Sequence, residues 1–563
     1  MLENFARKLG LRTNPQIFFV SALLAIVFVV GTILFTEEVN TVFSRMTGAI
    51  LSSLSWFYIF GVTAFLGFLI WIALSRYGHV RLGGPDSRPE YNTWAWFAML
   101  FAAGIGTILM FWGVAEPINH YANPPQAPFG TTTEEFAQTP EAAKQAITFA
   151  NYHFALHTWA IFTVPSLAFA YFIFKRKLPM RVSSIFYPFL GERIHGPIGK
   201  TIDVTVILGT LLGLSVSVGL GSAQINSGLA HLFGLPTDPD NPVTLVNQLL
   251  IIAVITAIAI TSVWLGLDKG IKRLSTINIV MAVGLLIFVF FAGPTLFLIK
   301  GTVEQAGDYA SRIVSLGLWN DAYADTGWQD GWTVFYWAWT ITWAPFIGIF
   351  VARISKGRTI RQFVFGVLGL PALFSVFWFS VFGLASFDIE RNDPGALVTP
   401  VVDEGDVPGA LFAFLEAFPV PATIATAIAV VSVVIVAIFF ITSADSAALV
   451  VDMMCNGEQD QLPPTRQRVF WAVLGGLVAL ALVGGAGAAA LDALAEVITV
   501  VGLPFFIMSF LMMASLVTAL RKDPDVPGNE ELRHKDKEEK TEKTEEIESE
   551  SAEPDGDRPP VEA

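Results

Sequence analysis

An aromatic stripe in the second half of the chain carries the residues best suited to binding chemistry. The segment GWTVFYWAWTITWAPF, residues 331–346, contains four tryptophans, a tyrosine and a proline. Trp339 and Trp343 are four residues apart and share one face of a helix, which Tyr336 and Trp332 extend. Indole faces attract cations and suit quaternary ammonium groups, whose charge hydrogen bonds cannot satisfy. The stripe therefore predicts a ligand cage, with ordinary aromatic packing as the alternative.

A second segment, ANYHFALHTWAIF, offers aromatic side chains that can stand opposite the stripe: Phe154, Trp159 and Phe162. The same segment places His153 and His157 four residues apart, so both lie on one helical face and could in principle hold a metal ion. The sequence shows no third ligand for them. We therefore favour a packing or hydrogen-bonding role for the two histidines.

Adjacent hydroxyls at Thr442 and Ser443, in the apolar segment FFITSADSAAL, are candidates for an ion site. Sodium needs oxygen ligands, and hydroxyls together with carbonyls freed by a broken helix supply them. The alternative is that these hydroxyls bond only to carbonyls of their own helix. Asp445 follows closely, and we expect it near the end of its span in a structural or gating role.

The composition shows which elements must position these residues. Of 563 residues, 53% are hydrophobic and only 15% are charged, whereas a soluble chain carries about a quarter charged residues. The apolar runs are mostly about 20 residues long, which predicts membrane-spanning helices rather than a barrel. The single cysteine excludes an intrachain disulfide, and the net charge of −14 argues against nucleic-acid binding.

Twelve apolar runs, centred near residues 26, 64, 103, 162, 217, 254, 286, 341, 373, 436, 480 and 508, predict twelve transmembrane helices. We interpret the first run, Gln16 to Phe35, as a retained span rather than a cleaved signal. With a cytoplasmic amino terminus, most Lys and Arg of the loops fall on the inner side, as the positive-inside rule requires. The sequence thus predicts a multi-pass protein of the cell (inner) membrane with both termini in the cytoplasm.

Helix breakers occur at comparable depths in spans three and eight. Span three contains Gly104 and Gly106, and span eight contains Pro345. Five spans run from three to seven and five from eight to twelve, which predicts an inverted repeat whose first helix is interrupted in each half. Such paired interruptions indicate the midplane binding site of a secondary transporter. Close helix packing is the alternative reading of the two glycines.

These observations predict a division of the chain into six parts. They are an N-terminal segment (1–15), two peripheral helices (16–92), a first five-helix repeat (93–300), an amphipathic helix and loop outside the cytoplasm (301–330), a second five-helix repeat (331–520), and a disordered cytoplasmic tail (521–563). The tail carries 16 acidic and 8 basic residues. Because an anionic leaflet repels such a tail, we do not expect it to sense osmotic stress by binding lipid.

Six stretches together resemble the betaine/choline/carnitine transporter family. They are AAGIGTILMFWGVAEP (102–117), HFALHTWAI (153–161), SVGLGSAQI (217–225), DKGIKRLSTIN (268–278), FYWAWTITWAPFIGIFVARISKGRTIRQF (335–363) and FFITSADS (439–446). The resemblance implies an all-α membrane fold with a leucine-transporter-like 5+5 inverted repeat after two extra helices. It also implies a homotrimer that moves betaines or related zwitterions, driven by sodium or protons, or by exchange without an ion.

The resemblance also implies two sodium positions. The second-type site would use the carbonyls of Ala102, Ile105 and Phe439 with the hydroxyls of Thr442 and Ser443. The other would use Thr210 and Phe346, but Leu214 replaces an expected hydroxyl, so this site is doubtful unless Ser215 substitutes. No Lys or Arg lies inside the spans, which favours sodium over an ion-independent mechanism.

The implied substrate cage departs from the family pattern. Trp343, Trp339 and Trp159 match it, whereas four other positions differ: Thr340 replaces a tryptophan, Phe154 and Phe162 replace a tryptophan and a tyrosine, and Ile108 replaces a glycine. The loss of an indole costs on the order of 1 kcal/mol of cation–π energy. A hydroxyl in its place suits a substrate with hydrogen-bond donors.

The sequence as a whole predicts a sodium symporter for a small zwitterionic compatible solute, such as a betaine-like compound, ectoine or taurine, acting in osmoregulation by alternating access. Backbone amides at Ile105, Gly106 and Thr107 would meet the anionic end of the solute. An ion-independent exchanger or a proton symporter is the alternative, and a receptor or channel is less favoured. We expect no enzymatic activity and no cofactor, with Na⁺ as the coupling ion.

Overall fold

A computed structural model describes residues 2–84, 86–104, 106–128, 130–235, 244–265, 268–457, 464–487 and 490–529. Within these ranges the chain is helical, and β-structure is limited to an isolated bridge between Arg81 and Thr359. Ile105 and most of the predicted tail, from residue 530 onward, lie outside the described residues.

Nineteen α-helices occur in the described ranges. The first twelve are α1 (Leu2–Lys8), α2 (Pro15–Leu34), α3 (Thr36–Leu74), α4 (Thr93–Gly104), α5 (Thr107–Ala122), α6 (Thr133–Phe136), α7 (Pro140–Phe154), α8 (Leu156–Phe169), α9 (Tyr187–Leu190), α10 (Pro197–Phe233), α11 (Leu245–Leu265) and α12 (Asp268–Ala292). The others are α13 (Thr295–Leu318), α14 (Phe335–Ile354), α15 (Ile360–Asn392), α16 (Ala410–Ala417), α17 (Ala422–Asn456), α18 (Thr465–Ala486) and α19 (Ala490–Arg521). Short π-helical turns at Ala170–Lys175 and Asp330–Val334 extend α8 and precede α14.

Eleven helical segments of the described chain are long and apolar enough to cross a membrane. They coincide with eleven of the twelve predicted spans, and the pair α4 and α5 occupies the place of the predicted third span. The chain is therefore an all-α, multi-pass membrane protein, as predicted. The stretch predicted to form an amphipathic helix outside the cytoplasm is also helical, in α13.

The third span is interrupted where the sequence indicates. Gly106 separates α4 from α5 and has an extended backbone, with φ −128° and ψ 179°. In lipid such a break leaves backbone groups without partners, so it is tolerated only where protein surrounds it. A further break, not predicted, lies at Ala155, where φ −98° and ψ −121° separate α7 from α8.

The predicted interruption of the eighth span at Pro345 was wrong. Helix α14 runs without a break from Phe335 to Ile354, with Pro345 inside it. Proline removes one backbone hydrogen bond to the carbonyl four residues earlier, that of Ile341. Because α8 and α19 pack along α14, neighbouring protein holds the helix in place despite the missing bond.

Helix α10 lies at the centre of the structure and packs against α2, α11, α14, α17, α18 and α19. Glycines on its surface make this close packing possible. A Cβ at Gly221 would overlap the ring of Phe440 on α17, and one at Gly213 would overlap Thr342 on α14. The two glycines thus set how closely α14 and α17 each approach α10.

We predict that Gly221→Ala destabilises the protein, because the added methyl group forces the ring of Phe440 and α17 away from α10. Overpacking of this kind costs about 1–3 kcal/mol. The measurement is the thermal unfolding temperature of the purified protein in detergent. Gly284→Ala is the matched control, since a Cβ at that helical glycine meets nothing within 4 Å. Equal unfolding temperatures of the two variants would contradict the predicted contact.

Candidate functional site

A cavity of about 440 Å³ lies between α5, α8, α10, α14 and α17. Its volume is in the range of small-molecule binding sites. The structure brings most of the sequence-predicted site residues together on its wall: Gly106, Ile108, Phe154, Trp159, Phe162, Trp339, Thr340, Trp343, Phe346, Phe439, Thr442 and Ser443. The side chains of Ala102 and Thr107 are not described. The roles of all these residues in binding stay predictions.

One hydroxyl orients the two central indoles. Ser217 on α10 accepts hydrogen bonds from Nε1 of Trp339, at 2.8 Å, and from Nε1 of Trp343, at 3.0 Å. The Ser217 hydroxyl itself donates to the carbonyl of Gly213 at 3.1 Å. Because both N–H edges point to Ser217, both rings are fixed relative to α10 while they line the cavity. Ser217 lies in one of the motifs quoted above, but it was not among the predicted site residues, because no local sequence pattern pairs it with α14.

The predicted stripe divides into two parts. Trp339 and Trp343 line the cavity, whereas Tyr336 and Trp332 pack against Trp112 of α5, with ring centroids 5.0 Å and 5.9 Å apart. The expectation that Tyr336 and Trp332 extend the cage is therefore not met. They form part of an aromatic seal over the cavity.

The seal continues with rings from two further helices, α7 and α15. Phe154 of α7 stacks on Phe379 of α15, with centroids 4.6 Å apart and planes 4° apart. Phe335 stacks on Trp339 at 5.8 Å. These contacts close the cavity at the end where α14 begins.

The opposite end of the cavity continues along α14 and α17. Its wall extends on α14 from Trp339 to Arg353 and on α17 from Phe439 to Met453. Fourteen residues of helix span roughly 21 Å. The cavity thus runs from the indoles to the ends of the helices where Arg353 lies.

The hydroxyls predicted for the second-type sodium site lie on the cavity wall. Thr442 donates to the carbonyls of Ile438, at 2.9 Å, and Phe439, at 3.1 Å. Ser443 also lines the cavity. These bonds agree with the alternative that the Thr442 hydroxyl bonds only to carbonyls of its own helix. They also place the hydroxyl beside the carbonyl of Phe439, which is a predicted sodium ligand.

The other predicted sodium position receives less support from the geometry. Phe346 lines the cavity, but Thr210 does not. The buried hydroxyl of Thr210 makes no hydrogen bond. Ser215, the possible substitute for the missing hydroxyl at Leu214, donates instead to the carbonyls of Leu211 and Gly475. Ser215 is thus engaged by α18.

Asp445 forms a buried ion pair. Its carboxylate lies 3.7 Å from the guanidinium of Arg468 on α18, and both side chains are nearly inaccessible. The pair joins α17 to α18 just beyond Ser443, in keeping with a structural or gating role.

The two histidines of the second segment have different surroundings. His153 contacts Glu116 through Nδ1, at 2.6 Å, and Thr333 through Nε2, at 2.9 Å. His157 makes no hydrogen bond and packs against Tyr152 and Trp337. The expectation that both serve packing or hydrogen bonding agrees with these contacts.

A family model described as "BCCT, betaine/carnitine/choline family transporter" matches residues 16–525. The chain belongs to the betaine/carnitine/choline transporter family. The family resemblance and the fold class predicted from the sequence are thereby confirmed, and members of this family are transporters rather than enzymes.

Several curated members of the family are similar over most of the chain. The ectoine/glycine betaine/proline transporter EctP of Corynebacterium glutamicum is 47% identical over 548 residues, which cover 97% of this chain and 86% of the relative. A glycine betaine transporter of Acinetobacter baylyi is 38% identical, covering 91% and 74%. A glycine betaine/proline/choline transporter of Vibrio parahaemolyticus is 37% identical, covering 93% of each.

We predict that Ser217→Ala lowers the stability of the protein, because it removes the acceptor of two indole N–H groups. Each buried donor left without a partner costs about 1–3 kcal/mol. Ser217→Thr, which keeps a hydroxyl, should retain more of the stability. The measurement is again thermal unfolding in detergent.

Ser222→Ala is the matched control for this prediction. Ser222 is also buried on α10, but its hydroxyl only donates to the carbonyl of Gly219 in the same helix. If Ser217→Ala and Ser222→Ala unfold at the same temperature, the two indoles do not depend on the hydroxyl of Ser217.

Proposed function

We propose that the protein imports a small zwitterionic compatible solute together with sodium, by alternating access across the cell membrane. The observation that carries this proposal is the pair of indoles, Trp339 and Trp343, fixed on one hydroxyl with both rings on the wall of a cavity. The relatives named above are transporters of ectoine, glycine betaine, proline or choline, and all four molecules carry a cationic group. Taurine belongs to the same chemical class.

The cationic end of the solute is assigned to the indoles. The faces of Trp339, Trp343 and Trp159 attract positive charge, and Phe154 and Phe162 add apolar surface. A cation in this position makes no ion pair, because the described cavity wall carries a single charged side chain, Arg353, at the far end.

The anionic end is assigned to the start of α5. Gly106 and Ile108 lie on the cavity wall, and Gly106 is the residue that precedes the helix. The first N–H groups of a helix have no partner within it, and the helix dipole adds positive potential there. A carboxylate or sulfonate placed at Gly106 therefore receives hydrogen bonds without a basic side chain.

Sodium is assigned to the oxygen atoms between the start of α5 and the middle of α17. Thr442, Ser443 and Phe439 all lie on the cavity wall, and hydroxyls and carbonyls are the ligands that sodium prefers. We infer that an ion at this position holds α17 against the interrupted third span. The second sodium position at Thr210 and Phe346 is not part of the proposal, because Ser215 bonds elsewhere.

The loop charges support the proposed orientation. The end of the cavity opposite the aromatic seal reaches Arg353, an exposed residue at the start of the basic segment ARISKGRTIR. The positive-inside rule assigns that side to the cytoplasm, with both termini on it. We infer that this conformation is inward-open and that the aromatic seal at Trp112, Tyr336 and Phe379 closes the outer side. The homotrimer remains an expectation from the family.

The decisive experiment is uptake of radiolabelled ectoine, glycine betaine, proline and taurine into proteoliposomes. We expect an inward sodium gradient to drive accumulation of one or more of these solutes. Uptake driven by a proton gradient in the absence of sodium would show that the coupling ion is the proton and not sodium. Uptake that requires solute inside the vesicles and no gradient would establish an exchanger and overturn the symport proposal.

We predict that Thr442→Ala and Ser443→Ala each raise the sodium concentration needed for half-maximal uptake by roughly tenfold to a hundredfold. A hydrogen-bonding group lost from a charged ligand costs about 1.5–3 kcal/mol. The measurement is the sodium dependence of uptake in proteoliposomes. Thr426→Ala is the matched control, because Thr426 is on the same helix and its exposed hydroxyl bonds only to the carbonyl of Ala422. An unchanged sodium dependence in both variants would show that neither hydroxyl binds sodium.

We predict that Thr340→Val separates substrates by their hydrogen-bond donors. Thr340 lies between the two tryptophans in the sequence and lines the cavity. Valine preserves the shape of its side chain without the hydroxyl. A lost neutral hydrogen bond costs about 0.5–1.5 kcal/mol, so the KM for ectoine and proline should rise about 2- to 10-fold. Glycine betaine has no N–H group and should be unaffected. An equal rise in KM for all three solutes would show that Thr340 acts only through packing.

A further inference from the structure

A buried cluster of one carboxylate and two imidazoles lies beyond the aromatic seal, outside the cavity. Glu116 and His120 lie one turn apart on α5, and His153 is near the end of α7. All three side chains are fully buried. Glu116 Oε1 lies 2.6 Å from Nδ1 of His153 and 3.1 Å from Nε2 of His120. One oxygen atom is therefore shared by two rings.

We propose that Glu116, His120 and His153 form a binding site for a divalent transition-metal ion of the Zn²⁺ type. The three ligand atoms lie within 4.8 Å of one another. Zinc bonds to nitrogen and oxygen are about 2.0–2.2 Å long, so neighbouring ligands around a tetrahedral ion lie about 3.3 Å apart. Small side-chain rotations convert the observed cluster into that arrangement.

Two atoms of the cluster lack hydrogen-bond partners although they are buried, namely Glu116 Oε2 and His120 Nδ1. An unpaired buried polar atom is costly, so a purely hydrogen-bonded cluster is incomplete. A metal ion bound by Glu116 offsets the cost at the carboxylate, because the carboxylate charge then faces a cation.

The surroundings of His153 favour a metal ligand. Its second nitrogen, Nε2, lies 2.9 Å from the hydroxyl of Thr333 at the start of the eighth span. Metal-binding histidines commonly hydrogen-bond through the nitrogen that does not bind the ion, which fixes the ring and its tautomer. The rings of Trp328 and Trp332 cover His120, with centroids 4.8 Å and 4.6 Å away, and exclude water.

The donor set selects the class of ion. Two imidazole nitrogens and one carboxylate suit zinc and its neighbours, whereas calcium and magnesium prefer oxygen ligands alone. An ion in the site ties α5 to α7 beside the aromatic seal. We therefore expect Zn²⁺, and neither Mg²⁺ nor Ca²⁺, to raise the unfolding temperature of the protein.

The test is equilibrium binding of Zn²⁺ to the purified full-length chain in detergent, after long incubation because the ligands are buried. We expect one ion per chain, and binding weakened at least about tenfold by His120→Gln or His153→Gln. His157→Gln is the control for a buried histidine outside the cluster. His231→Gln removes the half-buried histidine that pairs with Glu416, and His534→Gln removes the histidine of the acidic tail.

Loss of binding in His120→Gln and His153→Gln, with retention in the three controls, would support the site. The absence of saturable binding would overturn the proposal, and so would binding that survives both cluster variants. X-ray absorption by the zinc-loaded wild type gives a test without variants. We expect two imidazole nitrogens at about 2.0 Å from the zinc ion. Coordination by oxygen alone would contradict the site. None of these measurements depends on solute transport, so their failure leaves the proposed function untouched.

Discussion

The need to satisfy every backbone polar group within a bilayer constrains the whole structure. A helix that is interrupted in lipid exposes N–H and C=O groups that nothing can bond, so interruptions survive only inside the protein or beside a water-filled cavity. Gly106 is such an interruption, and it lies on the wall of the cavity. The other helices of the bundle must therefore enclose this point, and the cavity that they leave is the site of the proposed chemistry.

The indoles depend on the same enclosure. Ser217 accepts hydrogen bonds from Trp339 and Trp343 because glycines on α10 allow α14 to approach closely, as Gly213 does against Thr342. A buried indole N–H without an acceptor is costly, so the hydroxyl fixes both rings while their faces remain available. Rigid aromatic faces can hold a cation without an ion pair. Packing of the helices and the proposed selection of a cationic solute therefore rest on one set of contacts.

Much of this arrangement follows from the sequence. Hydropathy located the spans, because a run of about 20 apolar residues has the length and composition of a membrane-spanning helix. The break at Gly106 was predicted from the presence of glycine within such a run. The sequence did not show that α14 passes through Pro345 unbroken, since that depends on support from α8 and α19. The sequence also did not show that Trp339 and Trp343 line the cavity whereas Tyr336 does not. That difference depends on the contact of Tyr336 with Trp112 on another helix. Contacts between distant segments, such as Ser217 with α14, leave no local pattern. The spacing of Glu116 and His120, four residues apart, is a local pattern that places both on one face of a helix.

The central claim is that Trp339 and Trp343 bind the cationic end of the transported solute. A structure determined with glycine betaine or ectoine bound tests it most directly. We expect the cationic group to lie against these two indoles and the carboxylate to point at Gly106, at the start of α5. Density for the solute only at the far end of the cavity, near Arg353, or outside the cavity altogether, would contradict the account.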